Sequence, residues 1–168
     1  MSFKEKYVDF QIMVRELRKL REHNTLFKPG DPQDQMLLFA EAALTLMTLE
    51  RFFRILPPLQ PTEKLTLFPL LEKALSPSNK LFPFTADNHQ EFCRKISAVR
   101  NVIVHGNFEQ AAREKGRTNK EEYFREDFAG QIETIFVFLE MCASVIDPET
   151  GYPKQFTVTS STSTKTTL

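Results

Sequence analysis

The sequence predicts an all-α protein, folded as an antiparallel bundle of four to five helices. Apolar residues recur at helical spacing through several long segments, and few runs alternate between polar and apolar residues as a half-exposed strand would. Only five glycines occur in 168 residues, and short turns containing proline or glycine separate the periodic segments. Four or five long helices joined by short loops indicate a bundle.

The first two predicted helices form the N-terminal third of the chain. The first covers about residues 3–23, and its apolar face is made by Tyr7, Phe10, Val14, Leu17 and Leu20. A break follows, in which Asp31 can cap the next helix and Pro32 can occupy its first position. That second helix, residues 32–56, is apolar on most of its circumference. We therefore expect it to be the most buried helix of the bundle.

The third and fourth predicted helices follow a pair of prolines. The third covers residues 62–75 and contains Pro69, which could kink or split it. The fourth begins at a cap on Thr85 or Asp87 and ends near residue 105. Its buried stripe is expected to consist of Phe92, Ile96, Val99 and Ile103.

The fifth predicted helix closes the bundle. A polar segment, residues 106–117, forms a loop or a frayed helical extension before it. The helix then begins near Thr118, with Glu121 completing a capping box, and ends before a proline. The domain prediction is a helical bundle over residues 1–150. Residues 151–168 form a C-terminal tail that we expect to be mostly disordered, because its last part is almost entirely Ser and Thr.

The composition excludes several classes of function. The 22 basic and 22 acidic residues cancel, so contact with a nucleic acid must come from a local surface rather than from global charge. The cysteines, Cys93 and Cys142, predict neither a disulfide framework nor a metal site, which favours a reducing cytoplasmic location and no metal cofactor. No signal peptide is expected from the charged N-terminus, and the apolar stretch 36–47 is too short to cross a membrane.

The most informative segment is Arg-Asn-Val-Ile-Val-His-Gly, which begins at Arg100. Arg100 and His105 are separated by four residues, Asn101 follows the arginine, and Gly106 follows the histidine. A guanidinium can hold a phosphate with two parallel hydrogen bonds, and an imidazole can move a proton near neutral pH. A cation and an imidazole are sufficient for cleavage of a phosphodiester without a metal ion.

The arginine–histidine spacing alone is not specific, and this chain contains a second example of it. Arg18 and His23 have the same separation, but they lie in a highly charged run typical of a solvated helix face. The segment that begins at Arg100 differs because it closes an apolar-periodic helix, carries Asn after Arg and ends in Gly. Context therefore favours Arg100, Asn101 and His105 as the candidate site.

These residues and the helical layout resemble the HEPN superfamily (higher eukaryote and prokaryote nucleotide-binding domains). Its signature is R-x4-6-H, often with Asn, Asp or His after the arginine, and the matching residues are Arg100, Asn101 and His105. The layout covers roughly residues 1–150. The resemblance implies a helical bundle with the motif near the start or end of a late helix, and it implies metal-independent endoribonuclease activity with these three residues as the catalytic set.

The resemblance also implies partners. HEPN nucleases are commonly homodimers in which two motifs face each other, which would supply both a general acid and a general base. Val104 agrees with this, since helical geometry places its apolar side chain on the polar side of the helix. Besides RNA, the implied partners are a second copy of the chain and an antitoxin of the nucleotidyltransferase type or another kind, as for a toxin or defence effector. No membrane is implied.

Two further interpretations stay open at this stage. The chain could be a noncatalytic HEPN-like module that binds a nucleotide, an RNA or a protein, with His105 interacting only with the helix dipole. Glu41, within the apolar second helix, could pair with Arg100, although we favour its lying at the solvated helix edge. Glu50 could form a local surface pair with Arg51. The remaining polar candidates are interpreted as surface residues: His23, His89, Arg15, Arg18, Lys19 and Arg21.

Overall fold

The computed structural model describes residues 1–24, 32–82 and 89–154, and within these ranges the chain is helical without a β-strand. The predicted all-α class is therefore confirmed. Six helices are present in these ranges rather than four to five, because an extra short helix follows the fourth one. The helices are α1 (Phe3–Asn24), α2 (Pro32–Ile55), α3 (Leu67–Leu75), α4 (His89–His105), α5 (Phe108–Glu114) and α6 (Lys120–Val145).

Helix α6 is not a regular α-helix throughout. A π-helical segment, Phe124–Phe128, lies between the α-helical parts Lys120–Tyr123 and Ala129–Val145. A π turn holds one residue more than an α turn. It therefore rotates the side chains that precede it by about 100° about the helix axis, relative to those that follow it. The sequence pattern does not reveal this segment.

Helix α2 lies at the centre of the bundle, as predicted. It contacts α1, α3, α4 and α6, and it contributes more buried side chains than any other helix in the described ranges. Its apolar surface is not completely covered, however, because Met36 and Met47 are 70% and 62% exposed. The core around it is rich in phenylalanine, and a tilted ring pair connects α1 to α2, Phe10 with Phe52 at a centroid distance of 4.9 Å.

The predicted start of the third helix is wrong. Residues 62–65 form a turn, and α3 begins only at Leu67. The reason is a tertiary contact, since the guanidinium of Arg54 donates to the carbonyl oxygens of Thr62 and Leu65, each at 2.7 Å. Pro69 therefore falls within the first turn of α3, where a missing N–H costs little, and it does not split the helix.

The segment after α4 is more ordered than a polar loop. Phe108 begins the short helix α5, and its ring contacts those of Phe39, Phe124 and Phe128 with centroid distances of 5.9, 4.9 and 5.9 Å. This aromatic contact explains why a largely polar segment folds onto the body.

The cap of α6 is Asn119 rather than the predicted Thr118. The Asn119 Oδ1 atom accepts from the Glu122 N–H at 2.9 Å. Glu122 in turn accepts from the Thr118 N–H at 2.8 Å, so it takes the role predicted for Glu121.

The C-terminal turn packs against the bundle. The Gly151 N–H donates to the Asp147 carbonyl at 2.8 Å, and the Asp147 N–H donates to the Tyr152 carbonyl at 2.8 Å. Gly151 has a φ of +75° and is buried against Phe3 and Pro57. The described chain therefore stays compact as far as residue 154. The predicted caps at Asp31, Thr85 and Asp87, and the Ser/Thr-rich tail, lie outside the described residues.

By length and hydropathy alone, the segment Lys120–Val145 could cross a membrane. This is weak support for a membrane span, because the core helix of a folded bundle passes the same test. The segment has a face that packs in the core, formed by Ile132, Ile135, Phe136, Leu139 and Cys142.

Candidate functional site

The candidate site occupies the C-terminal end of α4. Cys93, Ile96 and Val99 are buried, which anchors one face of the helix against the bundle. Gly106 has a φ of +64°, and its N–H donates to the Val102 carbonyl at 2.9 Å. A left-handed glycine directly after the last helical residue is the expected way to end a helix. The predicted end of α4 at His105 is confirmed.

Arg100, Asn101 and His105 are all exposed on α4. The Arg100 Nη1 atom donates to the Asn101 Oδ1 atom in a long contact of 3.4 Å, so the structure brings these two side chains together. His105 makes no hydrogen bond to either of them. Asn101 therefore does not orient the imidazole in this arrangement, and the imidazole is exposed to solvent.

The outer surface of α4 has a local excess of positive charge. Its exposed charged residues are three cations, Arg94, Lys95 and Arg100, and one acid, Glu91. Lys95 pairs with Glu91 at 2.8 Å, whereas Arg94 and Arg100 form no ion pair with the part of the chain that the structure describes. A protein without net charge can thus carry a cationic surface on one helix.

Val104 is the apolar member of this surface. Its side chain is 56% exposed, next in sequence to His105. An isolated exposed valine is ordinary on a protein surface. Its position beside the cation and the imidazole is what makes it relevant, because a partner seated on the site would cover it.

The described residues offer a single imidazole at this site. His89 lies at the other end of α4, about 24 Å away along the helix axis at 1.5 Å per residue, and His23 lies on α1. In the ranges 1–24, 32–82 and 89–154, no group of three or more His, Cys, Asp or Glu side chains is arranged to hold a metal ion.

Glu41 does not lie at a solvated helix edge, and this prediction is wrong. It is only 7% exposed, and its Oε1 atom accepts from the Arg21 Nη1 atom at 2.7 Å. It therefore pairs with a residue of α1 and not with Arg100. Glu50 pairs with Arg54, one helical turn further on, at 2.6 Å, rather than with Arg51.

Sequence reasoning missed a groove on the flank of α4. It lies between α4, α5 and α6 and encloses about 290 Å³, with a largely apolar lining. Its polar lining residues are Lys95, Glu114, Lys115, Tyr123, Gln131 and Thr134. These residues come from three helices and share no sequence motif. Only the positions of the helices relative to each other reveal the groove.

Comparisons with protein-family models, with curated proteins and with solved structures find no match to this chain.

Proposed function

We propose that this chain is a metal-independent endoribonuclease of the HEPN type, in which Arg100, Asn101 and His105 form the site. The observation that carries the proposal is the exposure of all three side chains at one end of α4. Arg94 and Arg100 of this helix form no ion pair with any described residue. A purely structural Arg and His would be expected to make contacts with the body of the protein. An HEPN-like arrangement of the helical bundle is part of the proposal.

The reaction would use the RNA as its own nucleophile. The 2′-oxygen forms a bond to the adjacent phosphorus while the bond from phosphorus to the 5′-oxygen breaks. A base removes the proton of the 2′-hydroxyl, and an acid protonates the leaving 5′-oxygen. Arg100 neutralises the charge that grows on the phosphoryl oxygens, and Asn101 offers an amide to the phosphate. The products are a 2′,3′-cyclic phosphate end and a 5′-hydroxyl end.

One imidazole cannot serve as acid and base in the same step. A homodimer with two facing α4 ends would place His105 of each copy on either side of the phosphate. The exposed Val104 supports this arrangement, since it provides apolar contact area next to the site. The proposal includes a role as a toxin or defence effector. A nucleotidyltransferase-type or other antitoxin would then inhibit the enzyme by covering the exposed site.

The test is an RNA cleavage assay in the presence of EDTA. Wild type should cleave RNA, and His105→Ala should lose at least about a hundredfold in rate, the usual contribution of a general acid or base. His23→Ala is the matched control, because His23 is also exposed and follows an arginine at the same spacing. The two variants should melt at the temperature of wild type, since neither side chain belongs to the core.

Two results would count against this function. If His105→Ala and wild type cleave equally, His105 is not the proton carrier and the proposed mechanism fails. If wild type binds RNA without cleaving it in EDTA, the chain is instead a noncatalytic helical module that binds RNA.

A further inference from the structure

The groove on the flank of α4 has the size and lining of a site for a small flat group. Its volume of about 290 Å³ is close to the lower limit of small-ligand sites, which enclose roughly 300–1,000 Å³. Phe92 and Tyr123 contribute aromatic rings to its wall. Phe92 is held in place by an edge-on contact with Phe138 at a centroid distance of 4.8 Å. The groove can therefore accept one ring system between preorganised side chains.

The polar part of the groove is a tyrosine–glutamine pair. The Tyr123 hydroxyl donates to the Gln131 Oε1 atom at 3.3 Å. Burial, with smaller effects of Asp127 and Glu114, raises the pKa of Tyr123 to about 12, so its hydroxyl keeps its proton at neutral pH. The Nε2 atom of Gln131 makes no hydrogen bond within the described ranges. A ligand can thus meet both a hydrogen-bond donor and acceptors there.

The π-helical segment of α6 brings this pair together. Tyr123 and Gln131 are eight residues apart, and in a regular α-helix they would point about 80° apart. The extra residue of the turn Phe124–Phe128 rotates Tyr123 by about 100° in the opposite sense. The two side chains therefore point within about 20° of each other. Wide turns of this kind are frequent at functional sites.

Along α4, the groove ends close to the candidate cleavage site. Ala98 lines the groove and lies on the same face of α4 as His105, seven residues and two turns away. Val102 also lines the groove, so its edge is about 5 to 10 Å from His105 along the helix axis. This length corresponds to one to three stacked nucleotides at roughly 3.4 Å each.

The charge of the rim fits a polyanion. Two lysines, Lys95 and Lys115, and one acid, Glu114, line the groove, and the Glu114 carboxylate accepts from Gln110 at 2.8 Å. Arg94 and Arg100 are further exposed cations of α4, although neither lines the groove. The apolar lining suits an uncharged ring system inside the groove. The lysines at the rim suit phosphate groups on either side of that ring.

We propose that this groove binds one unstacked base of a single-stranded RNA, with Lys95 and Lys115 at the flanking phosphates and Tyr123 and Gln131 at the edge of the base. The proposal rests on the proposed ribonuclease function and adds to it a substrate class, single-stranded RNA, and a means of selecting the cleavage position. Recognition of single-stranded RNA by unstacked bases on aromatic rings, read at their edges, is the general mode for such substrates.

Binding of uncleavable RNA tests the groove separately from catalysis. The probes are fluorescein-labelled, fully 2′-O-methylated homopolymers of the four bases, measured by fluorescence anisotropy. Thr134→Trp should fill the groove, because Thr134 is exposed on its α6 wall and is distant in sequence from the cleavage residues. Val137→Trp is the matched control, since Val137 is 43% exposed on the same helix and does not line the groove.

Wild type should bind one homopolymer more tightly than the others. Thr134→Trp should weaken that binding by about five- to a hundredfold, the loss expected for one stacked base, while Val137→Trp binds like wild type. Gln131→Ala, which leaves the groove open, should reduce the difference between the bases. It keeps the test decisive if the tryptophan variant does not fold.

The outcomes separate this proposal from the ribonuclease proposal. Equal binding by Thr134→Trp and wild type, together with unchanged base preference in Gln131→Ala, would overturn the groove as a base site while leaving the cleavage residues untouched. Groove-dependent binding of these probes, together with no cleavage of unmodified RNA by wild type, would support the base site and overturn the nuclease. If wild type binds none of the four homopolymers, the groove is not a base site, and the nuclease proposal then depends on cleavage of unmodified RNA alone.

Discussion

Arg21 of α1 and Glu41 of α2 form a nearly buried ion pair, with 2.7 Å between Nη1 and Oε1. The Arg21 side chain is 16% exposed, and its guanidinium lies 4.0 Å from the ring centroid of Phe136 and also donates to Glu133, both on α6. One arginine therefore joins three helices. From the sequence alone, the charged run in α1 predicts that Arg21 is a surface residue.

Removal of Arg21 should destabilise the fold strongly. Arg21→Ala takes the cation away from a buried carboxylate, and breaking a buried pair in this way costs about 3–5 kcal/mol of the free energy of unfolding. Chemical denaturation followed by circular dichroism measures this. Arg18→Ala, which removes the exposed pair with Glu140, is the control and should cost less than about 1 kcal/mol. Similar losses in the two variants would show that the buried pair has no special role.

A charge at Val104 should weaken the proposed dimer. Val104→Glu places two carboxylates close together across a two-fold axis, and we expect the dimer dissociation constant to rise about tenfold or more. Cleavage should decrease with it, which light scattering and the cleavage assay measure together. Val8→Glu, at another exposed valine on α1, should change neither. A wild-type protein that is monomeric and fully active would contradict the facing-histidine arrangement.

The Asp127–Arg117 pair should contribute stability that depends on pH. Hydrogen bonds from Arg117, at 2.6 and 3.1 Å, lower the pKa of Asp127 in the folded protein. The contribution is therefore complete above the unfolded-state pKa, about 3.9, and is lost as the pH falls through the lower folded-state value. Asp127→Asn should melt below wild type at neutral pH, and the difference should shrink in acid. A difference that stays constant down to strongly acidic pH would contradict this linkage.

Gly151 should tolerate no side chain. A Cβ atom there would lie 2.5 Å from the Pro57 Cδ atom and 2.8 Å from the Phe3 ring, in a backbone conformation that favours glycine. We expect Gly151→Ala to cost more than about 2 kcal/mol, from overpacking added to backbone strain. Gly116→Ala has a similar φ, +68°, but open space around it, so it should cost only about 1–2 kcal/mol. Thermal melting of the two variants measures the difference.

Local patterns in the sequence predicted the helices well. The buried stripe of α4 and its end at Gly106 follow from apolar spacing and from one glycine, both of which are local signals. The exposed positions of Asn101 and His105 follow from the same spacing, because both residues lie opposite the buried stripe. Arg100 follows Ile96 by four residues and lies at the flank of the stripe, so spacing alone does not predict its exposure.

Features that depend on distant contacts were not predictable in this way. The start of α3 is delayed because Arg54 binds two carbonyl groups of the preceding turn. The Arg21–Glu41 pair requires knowledge of how α1 and α2 lie against each other. The groove requires the positions of three helices, and the alignment of Tyr123 with Gln131 depends on a turn that leaves no mark on the apolar pattern.

The wide turn in α6 makes chain length matter more than residue identity at this point. Loss of one residue from Phe124–Phe128 would convert the turn to regular α-helix and rotate Tyr123 by about 100° relative to Ala129–Val145. A substitution at an exposed position of the turn, such as Arg125, leaves this angle unchanged. Homologous proteins that keep the groove should therefore differ in sequence at the exposed positions of this turn but carry no insertion or deletion within it.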